Sequence, residues 1–431
     1  MNIKLPYGKG TLPLDVPDEN LLEVVVPKEF IQPRQPELMI KEALYDPLGT
    51  DRLSEAVGPG ETVAIVIDDY TRPCPTKMLL PPVLEELRLA GVNDSDILII
   101  IATGTHTPPS TDLIKEIVGD KVYRNYMVTS NDVINGEYVT VGKTKRGNEI
   151  QILKDFIEKD FKILLGDIEY HYFAGYGGTR KSILPGISSK ETIQRNHSLL
   201  FEKHSCMGVL KENLIHQEMN EAMHLAGADF ALNVVQNSQH RIVGAWAGNP
   251  ELVMDVGVKL VDSMYRREIK ERPDIVITAA NGDPHDINLY QAMKAMYTAC
   301  QVIKENGVII LVAECREGHG SQLYMDWLGK YKTAQDVKDA LNKNFIIGAH
   351  KAYYHRLTVE NHPVICVSAM DKNQVEEYFQ FKHAADVNEA LHQAFVLRGK
   401  DARILVVPQG TTTLLTMKNE GDKAGECKWI K

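Results

Sequence analysis

The sequence predicts an α/β protein of two domains with mainly parallel sheets, and three observations predict it. Nearly continuous apolar runs of strand length recur along the chain, each followed by an amphipathic stretch of helical period, the pattern of a parallel sheet covered on both faces. The 431 residues exceed what one ordinary core holds. Polar residues collect where the apolar runs end, and in open parallel sheets ligands sit beyond the carboxyl ends of the strands.

In chain order, "TVAIVIDDYTRP" (62–73) reads as a strand leading into the helical "PTKMLLPPVLEELRLAG", and "DILIIIATGTH" (96–106) leads into "PSTDLIKEIVG". Residues 135–155 alternate in the manner of a hairpin with "KRGN" as its turn. "FKILLGDIEYHYFAGYGG" (161–178) then leads into "SSKETIQRNHSLL". "SMYRREIKERPD" reads as solvated helix ends beside a linker near residues 265–273. The pattern restarts at "ERPDIVITAANGDPHD" (271–286), with strands at "NGVIILVAECREG", "HPVICVSAM" and "ARILVVPQGTTT" and helices at "AQDVKDALNKN" and "HAADVNEALHQAF". The expected division is an N-terminal α/β domain of residues 1–268 and a C-terminal Rossmann-like domain of 269–431 closing an interdomain active-site cleft. The last ~20 residues are expected to pack back on the first domain.

Composition narrows the function. With 44% hydrophobic and 25% charged residues the chain is ordinary for a globular protein, and a net charge of -10 excludes a dedicated nucleic-acid binder. Apolar runs fall far short of the roughly 20 residues a membrane helix needs, and the N-terminus lacks an apolar leader. A cytoplasmic protein with a small-molecule partner, and neither membrane nor nucleic acid, is expected. Six scattered cysteines without C-x-x-C spacing are expected to be reduced, mostly buried thiols. "HKAYYHRLT" (350–358) is too short for a nucleic-acid patch and is placed at the border of the cleft.

The chemistry gathers in "HYFAGYGGTRKSILPG" (171–186). Its spacing approaches that of a phosphate loop, but Arg180 stands where the last glycine belongs, which argues against a phosphotransferase. Gly175, Gly177 and Gly178 either bring backbone N–H groups to an anion or make a tight turn without ligand. His106 and His171 end strands and His197 lies on a helix; isolated histidines are usually structural, but three around one cleft can supply an acid, a base and a metal ligand. The planar fork of Arg72 suits a carboxylate or phosphate, or an ion pair with Asp68 or Asp69. Lys294 shares a helix face with Tyr290, four residues earlier. Asp283, His285 and Asp286 leave the first strand of the second domain.

Taken together, "DDYTRP", "ATGTH", "HYFAGYGGTRKSILPGI", "RNH" and "DINLYQAMKAM", in that order over residues 66–297, resemble the nickel-dependent lactate racemase family. The glycine–lysine segment with its downstream histidine is the specific part. The resemblance implies a racemase or epimerase of a 2-hydroxy acid that passes the Cα hydrogen reversibly, as hydride, to a nickel-pincer nucleotide. That cofactor is a pyridinium-3-thioamide-5-thiocarboxylic acid mononucleotide with Ni2+, and Lys181 matches the lysine that holds it covalently. His197 matches the protein ligand of the nickel, and His106 and His171 match the two acid/base residues, one for each enantiomer. Arg72 and Lys294 match positions that hold the substrate carboxylate and oxygens, with Tyr290 and Gln291 lining the pocket and Asp69 on the cofactor side. The glycine loop and a helix N-terminus are expected to receive the nucleotide phosphate. Transient contact with cofactor-synthesis enzymes follows, and a homo-oligomer fits.

The loop departs from the family in reading "GYGGTRK" where many relatives have Ser and Gly, and "GTHTPP" lacks a basic residue that often follows the histidine. These departures leave lactate, malate and longer aliphatic or sugar acids open as substrates. A non-catalytic nucleotide-binding or carrier protein is the alternative, and the presence of both His106 and His171 argues against it.

Overall fold

The computed structural model describes residues 1–28, 30 and 34–418, which divide into two compact units. The central unit, Glu29–Met264, is built on a six-stranded sheet in the order Ile242–Gly248, Phe230–Gln236, Phe161–Asp167, Val63–Asp68, Ile97–Ala102, Met127–Ser130. The first pair is antiparallel and the rest are parallel. Val63–Ile67 and Ile97–Ile101 are buried along their length, as strands covered on both faces must be. One face packs Ile65, Ile99, Ile163 and Leu232 against Leu79, Leu80, Val83 and Leu87 of the helix Thr76–Leu89. The expected hairpin is present, Tyr138–Lys143 pairing antiparallel with Glu149–Leu153, and Thr144 N–H donates to the Asn148 carbonyl across its turn.

The terminal unit comprises Met1–Lys28 with Tyr265–Lys431. Its sheet is wholly parallel, in the order Lys382–His383, Val364–Val367, Val308–Val312, Ile275–Ala279, Ile404–Val407, Leu21–Val24. The division at 268/269 therefore needs correcting at its start. Leu21–Val24 forms the edge strand beside Ile404–Val407, and Ile3, Leu5, Leu14 and Val16 of the hairpin Asn2–Tyr7/Gly10–Asp15 share a core with Ile277, Ile310 and Val406.

One other expectation is corrected. "RREI" is no solvated helix end: Arg266–Ile269 is a strand parallel to Leu414–Met417. "HKAYYHRLT" falls within the helix His350–Asn361, where His350, Lys351, His355 and Arg356 are buried. Cys206, Cys300, Cys315 and Cys366 are buried free thiols and Cys74 is half-buried; Cys427 lies outside the described residues. The expectation that the last ~20 residues pack back on the central unit concerns 419–431, also outside them. Among the described residues no helix is long and apolar enough to cross a membrane.

Candidate active site

The Val63–Asp68 strand exits into a tight turn in which Arg72 N–H returns to the Asp69 carbonyl. Asp69 is buried, and its Oδ1 accepts from Thr71 N–H at 3.2 Å and from Thr71 Oγ1 at 2.7 Å. Its Oδ2 lies 2.6 Å from Nδ1 of His106, which the neighbouring strand Ile97–Ala102 delivers. A carboxylate on Nδ1 selects the tautomer with the proton there, so Nε2 presents a lone pair. The His106 ring is 50% exposed, and a solute can reach it.

Beside this pair the Arg72 guanidinium donates from Nη1 to Glu169 Oε1 at 2.8 Å. Asp68, Cys74 and Asp167 converge on the same place, with ligand atoms within 4.8 Å of one another. Burial pushes the Asp68 carboxyl up to about 6, with Arg72 opposing and Asp69 reinforcing. Asp167 is pushed well above the usual range by burial, then by Glu169 and Asp68, and the Cys74 thiol is likewise raised by burial. Asp68, Asp69, Arg72 and Cys74 line one side of a cavity of about 400 Å³.

The third strand end carries the glycine loop. His171 pairs with Gly175 in the short ladder Tyr170–His171/Gly175–Tyr176, and His171 Nδ1 accepts Ala174 N–H at 3.2 Å. Gly175 has φ +80, and a Cβ there would stand 2.1 Å from the Val209 carbonyl oxygen, so no other residue fits. Gly178 has φ +82 against Asn233 and Ile168. Gly177 N–H is committed to the Glu169 carbonyl at 2.7 Å, so the expectation of an anion nest fails for that group. The helix Lys190–His197 is closed by its own Ser189, whose Oγ accepts Thr192 N–H.

Arg180, which breaks the phosphate-loop pattern, is fully buried and organises the loop. Nη1 donates to the carbonyls of Gly177 and Gly178, Nη2 to those of Ala174 and Tyr176, and Nε to His216 Nδ1 at 2.7 Å. Burial lowers this guanidinium to about 9, and burial together with Arg180 lowers His216 to about 2. Neither role was expected from the sequence; the only signal was a basic residue where a glycine was due.

Lys181 is half-buried, and its amine is pushed well below the usual ammonium range by burial, then by Arg72 and Arg180. His197 ends its helix buried, lowered to about 3 by burial and by Lys181. Its Nδ1 is buried with no hydrogen-bond partner among the described residues. Phe173 stands edge-on to both His171 (4.4 Å) and His197 (4.9 Å). Hydrogen-bond, charge and ring interactions thus link His106, Asp69, Arg72, Lys181, His197 and, through Phe173, His171 within the central unit.

Tyr290, Gln291 and Lys294 belong to the terminal unit, on the helix Leu289–Cys300. Asn288 caps that helix, accepting Gln291 N–H at 3.1 Å. Behind Tyr290 sits a residue the sequence did not single out: Lys351 is buried, donates to the Tyr290 carbonyl and lies 3.6 Å from the Tyr290 ring centroid. Burial and then Lys294 push its amine well below the usual range.

Residues 7–208 match the model of the lactate racemase N-terminal domain, and residues 269–415 that of the lactate racemase C-terminal domain. The chain belongs to the lactate racemase family. The lactate racemase of Thermoanaerobacterium thermosaccharolyticum is 34% identical over 429 residues, covering 97% of this chain and 100% of that protein. The lactate racemase of Lactiplantibacillus plantarum is 32% identical, covering 95% and 98%. The lactate racemase apoprotein structure from T. thermosaccharolyticum superposes with a TM-score of 0.89 over 96% of this chain and all of that one. A Thermotoga maritima protein, 18% identical with a TM-score of 0.63 over 89% of this chain and 98% of its own, shares the fold. Membership of the lactate racemase family makes this chain an isomerase of the racemase type.

Proposed function

We propose that the chain racemises or epimerises a 2-hydroxy acid of the lactate class with a nickel-pincer nucleotide carried on Lys181. The observation that carries this reading is the pairing of Lys181 with His197: an amine held down by burial, near a buried neutral imidazole whose Nδ1 has no hydrogen-bond partner among the described residues. A buried orphan nitrogen is costly, and a metal ion supplies what it lacks. A neutral amine is the form that forms a covalent bond. The residues present therefore fit the group, Lys181 holding it and His197 offering the ligand to nickel. When bound, the group supplies a reversible acceptor for the Cα hydrogen.

The chain's own residues do the rest. Arg72 grips the substrate carboxylate, fixing the molecule for reaction, and Tyr290, Gln291 and Lys294 are assigned to the substrate oxygens. His106, oriented by Asp69, takes the hydroxyl proton of one enantiomer at Nε2 and returns it. His171 serves the other enantiomer. To accept a proton at Nε2 it adopts the tautomer protonated on Nδ1, which releases the Ala174 N–H contact. Intact-protein mass spectrometry with metal analysis, on chain produced alongside the cofactor-synthesis enzymes, tests the reading. It requires an adduct at Lys181 and stoichiometric nickel; active racemase with neither sinks it.

A further inference from the structure

Arg72 already holds a carboxylate, that of Glu169, at 2.8 Å. The two side chains are 33% and 38% exposed, so a dissolved acid can reach the pair and compete for it. The other carboxyls around Arg72 are poor rivals. Asp69 is occupied by Thr71 and His106, while Asp68 and Asp167 are pushed toward their protonated forms by burial. Glu169 is also built into the loop through its backbone, whose carbonyl accepts Gly177 N–H, so its side chain swings on a fixed base.

We propose that Glu169 is a specificity-determining residue: its carboxylate occupies Arg72 until a substrate carboxylate displaces it, and then repels a second carboxylate, so the site selects 2-hydroxy monocarboxylic acids. This rests on the reading of Arg72 as the substrate-carboxylate grip. Occupation of Arg72 by an internal carboxylate scales apparent affinity down to the fraction of time Arg72 is free. Once displaced, Glu169 remains beside a guanidinium that can neutralise one carboxylate at a time. A dianion then faces Glu169 and Asp69, while the other amine that interacts with Arg72, that of Lys181, is taken up by the cofactor in the proposed function.

The test compares the loaded enzyme with Glu169→Gln, Glu169→Asp and Arg72→Ala, after mass spectrometry shows equal adduct at Lys181. Racemisation of L-lactate is measured alone and with L-malate as inhibitor. Glu169→Gln, which keeps shape and removes charge, is expected to lower KM for lactate about threefold to fivefold. It is also expected to lower the malate inhibition constant about tenfold relative to the lactate KM. Glu169→Asp, which keeps the charge, holds malate inhibition weak. Unchanged KM and malate inhibition in Glu169→Gln, or equal loss of kcat in both Glu169 variants, would overturn the proposal. Arg72→Ala separates the two readings. If it leaves the lactate KM unchanged, the carboxylate grip itself fails; if KM rises while Glu169→Gln changes nothing, only the role of Glu169 fails.

Discussion

The two parallel sheets place polar residues at the same ends of their strands, yet use them differently. In the central unit Asp68, Asp69, Asp167 and His106 have other titratable side chains as partners, and burial raises the proton affinity of Asp68 and Asp167. In the terminal unit the corresponding groups are tied to backbone or to one surface arginine. Asp286 Oδ2 accepts Gly8 N–H at 2.7 Å and Glu314 N–H at 3.0 Å, and Asp283 pairs with Arg316 at 2.7 Å. A carboxylate whose hydrogen bonds go to backbone amides is scaffold, and one hydrogen-bonded or ion-paired within a cluster of ionisable groups is machinery. The sequence shows both simply as acids after a strand.

Substitutions can break or sharpen that contrast. Lys181→Ala should have the largest effect, leaving no adduct by intact mass and activity at background. His106→Ala and His171→Ala should each lower kcat by about 10² to 10⁴-fold in steady-state assays of adduct-bearing protein; an unaffected His171→Ala would remove it from the mechanism. Asp69→Asn, which keeps the shape but loses the charge that orients His106, should cost on the order of 10²-fold in kcat with little change in KM. On the scaffold side, Asp286→Ala should leave kcat unchanged and cost about 3 kcal/mol in urea denaturation, because two buried N–H groups lose their acceptor.

The smallest effect is in pH dependence. Asp68 is raised from 3.8 to about 6 in the folded chain, so the native state binds that proton more tightly than the unfolded state. The stabilisation is full below about pH 4 and is lost as pH rises through about 6, a change of roughly 2 to 3 kcal/mol. Asp167 acts in the same direction. Asp68→Asn should flatten the slope of unfolding free energy between pH 4 and 7; an unchanged slope would place the titration elsewhere.

Much of this was legible in the sequence. The buried runs "VAIVID" and "ILIIIA" could only be central parallel strands, and the motifs at their ends named Arg72 and His106, as the glycine loop after Phe161–Asp167 named Lys181. What was not legible depends on distant partners. Leu21–Val24 is only four residues long, and becomes a strand because Ile404–Val407 offers an open edge. Arg180 read as a flaw in a phosphate loop, because nothing local shows that four carbonyls will turn toward it. Lys351, in a helix of mixed polarity, gives no sign that it ends beneath Tyr290.

The edge strand Leu21–Val24 also bears on biosynthesis. Its partner begins at Ile404, 383 residues after Leu21 (404 − 21), so the early segment leaves the ribosome long before its neighbour exists. At translation rates of about 5–20 residues per second the wait is roughly 20 to 75 s. During that interval the strand's unpaired backbone and the apolar face of the Asn2–Asp15 hairpin are open to other chains, while residues 29–264 already contain everything their own sheet requires. The nascent chain is therefore most exposed to chaperones and to aggregation at the end it made first.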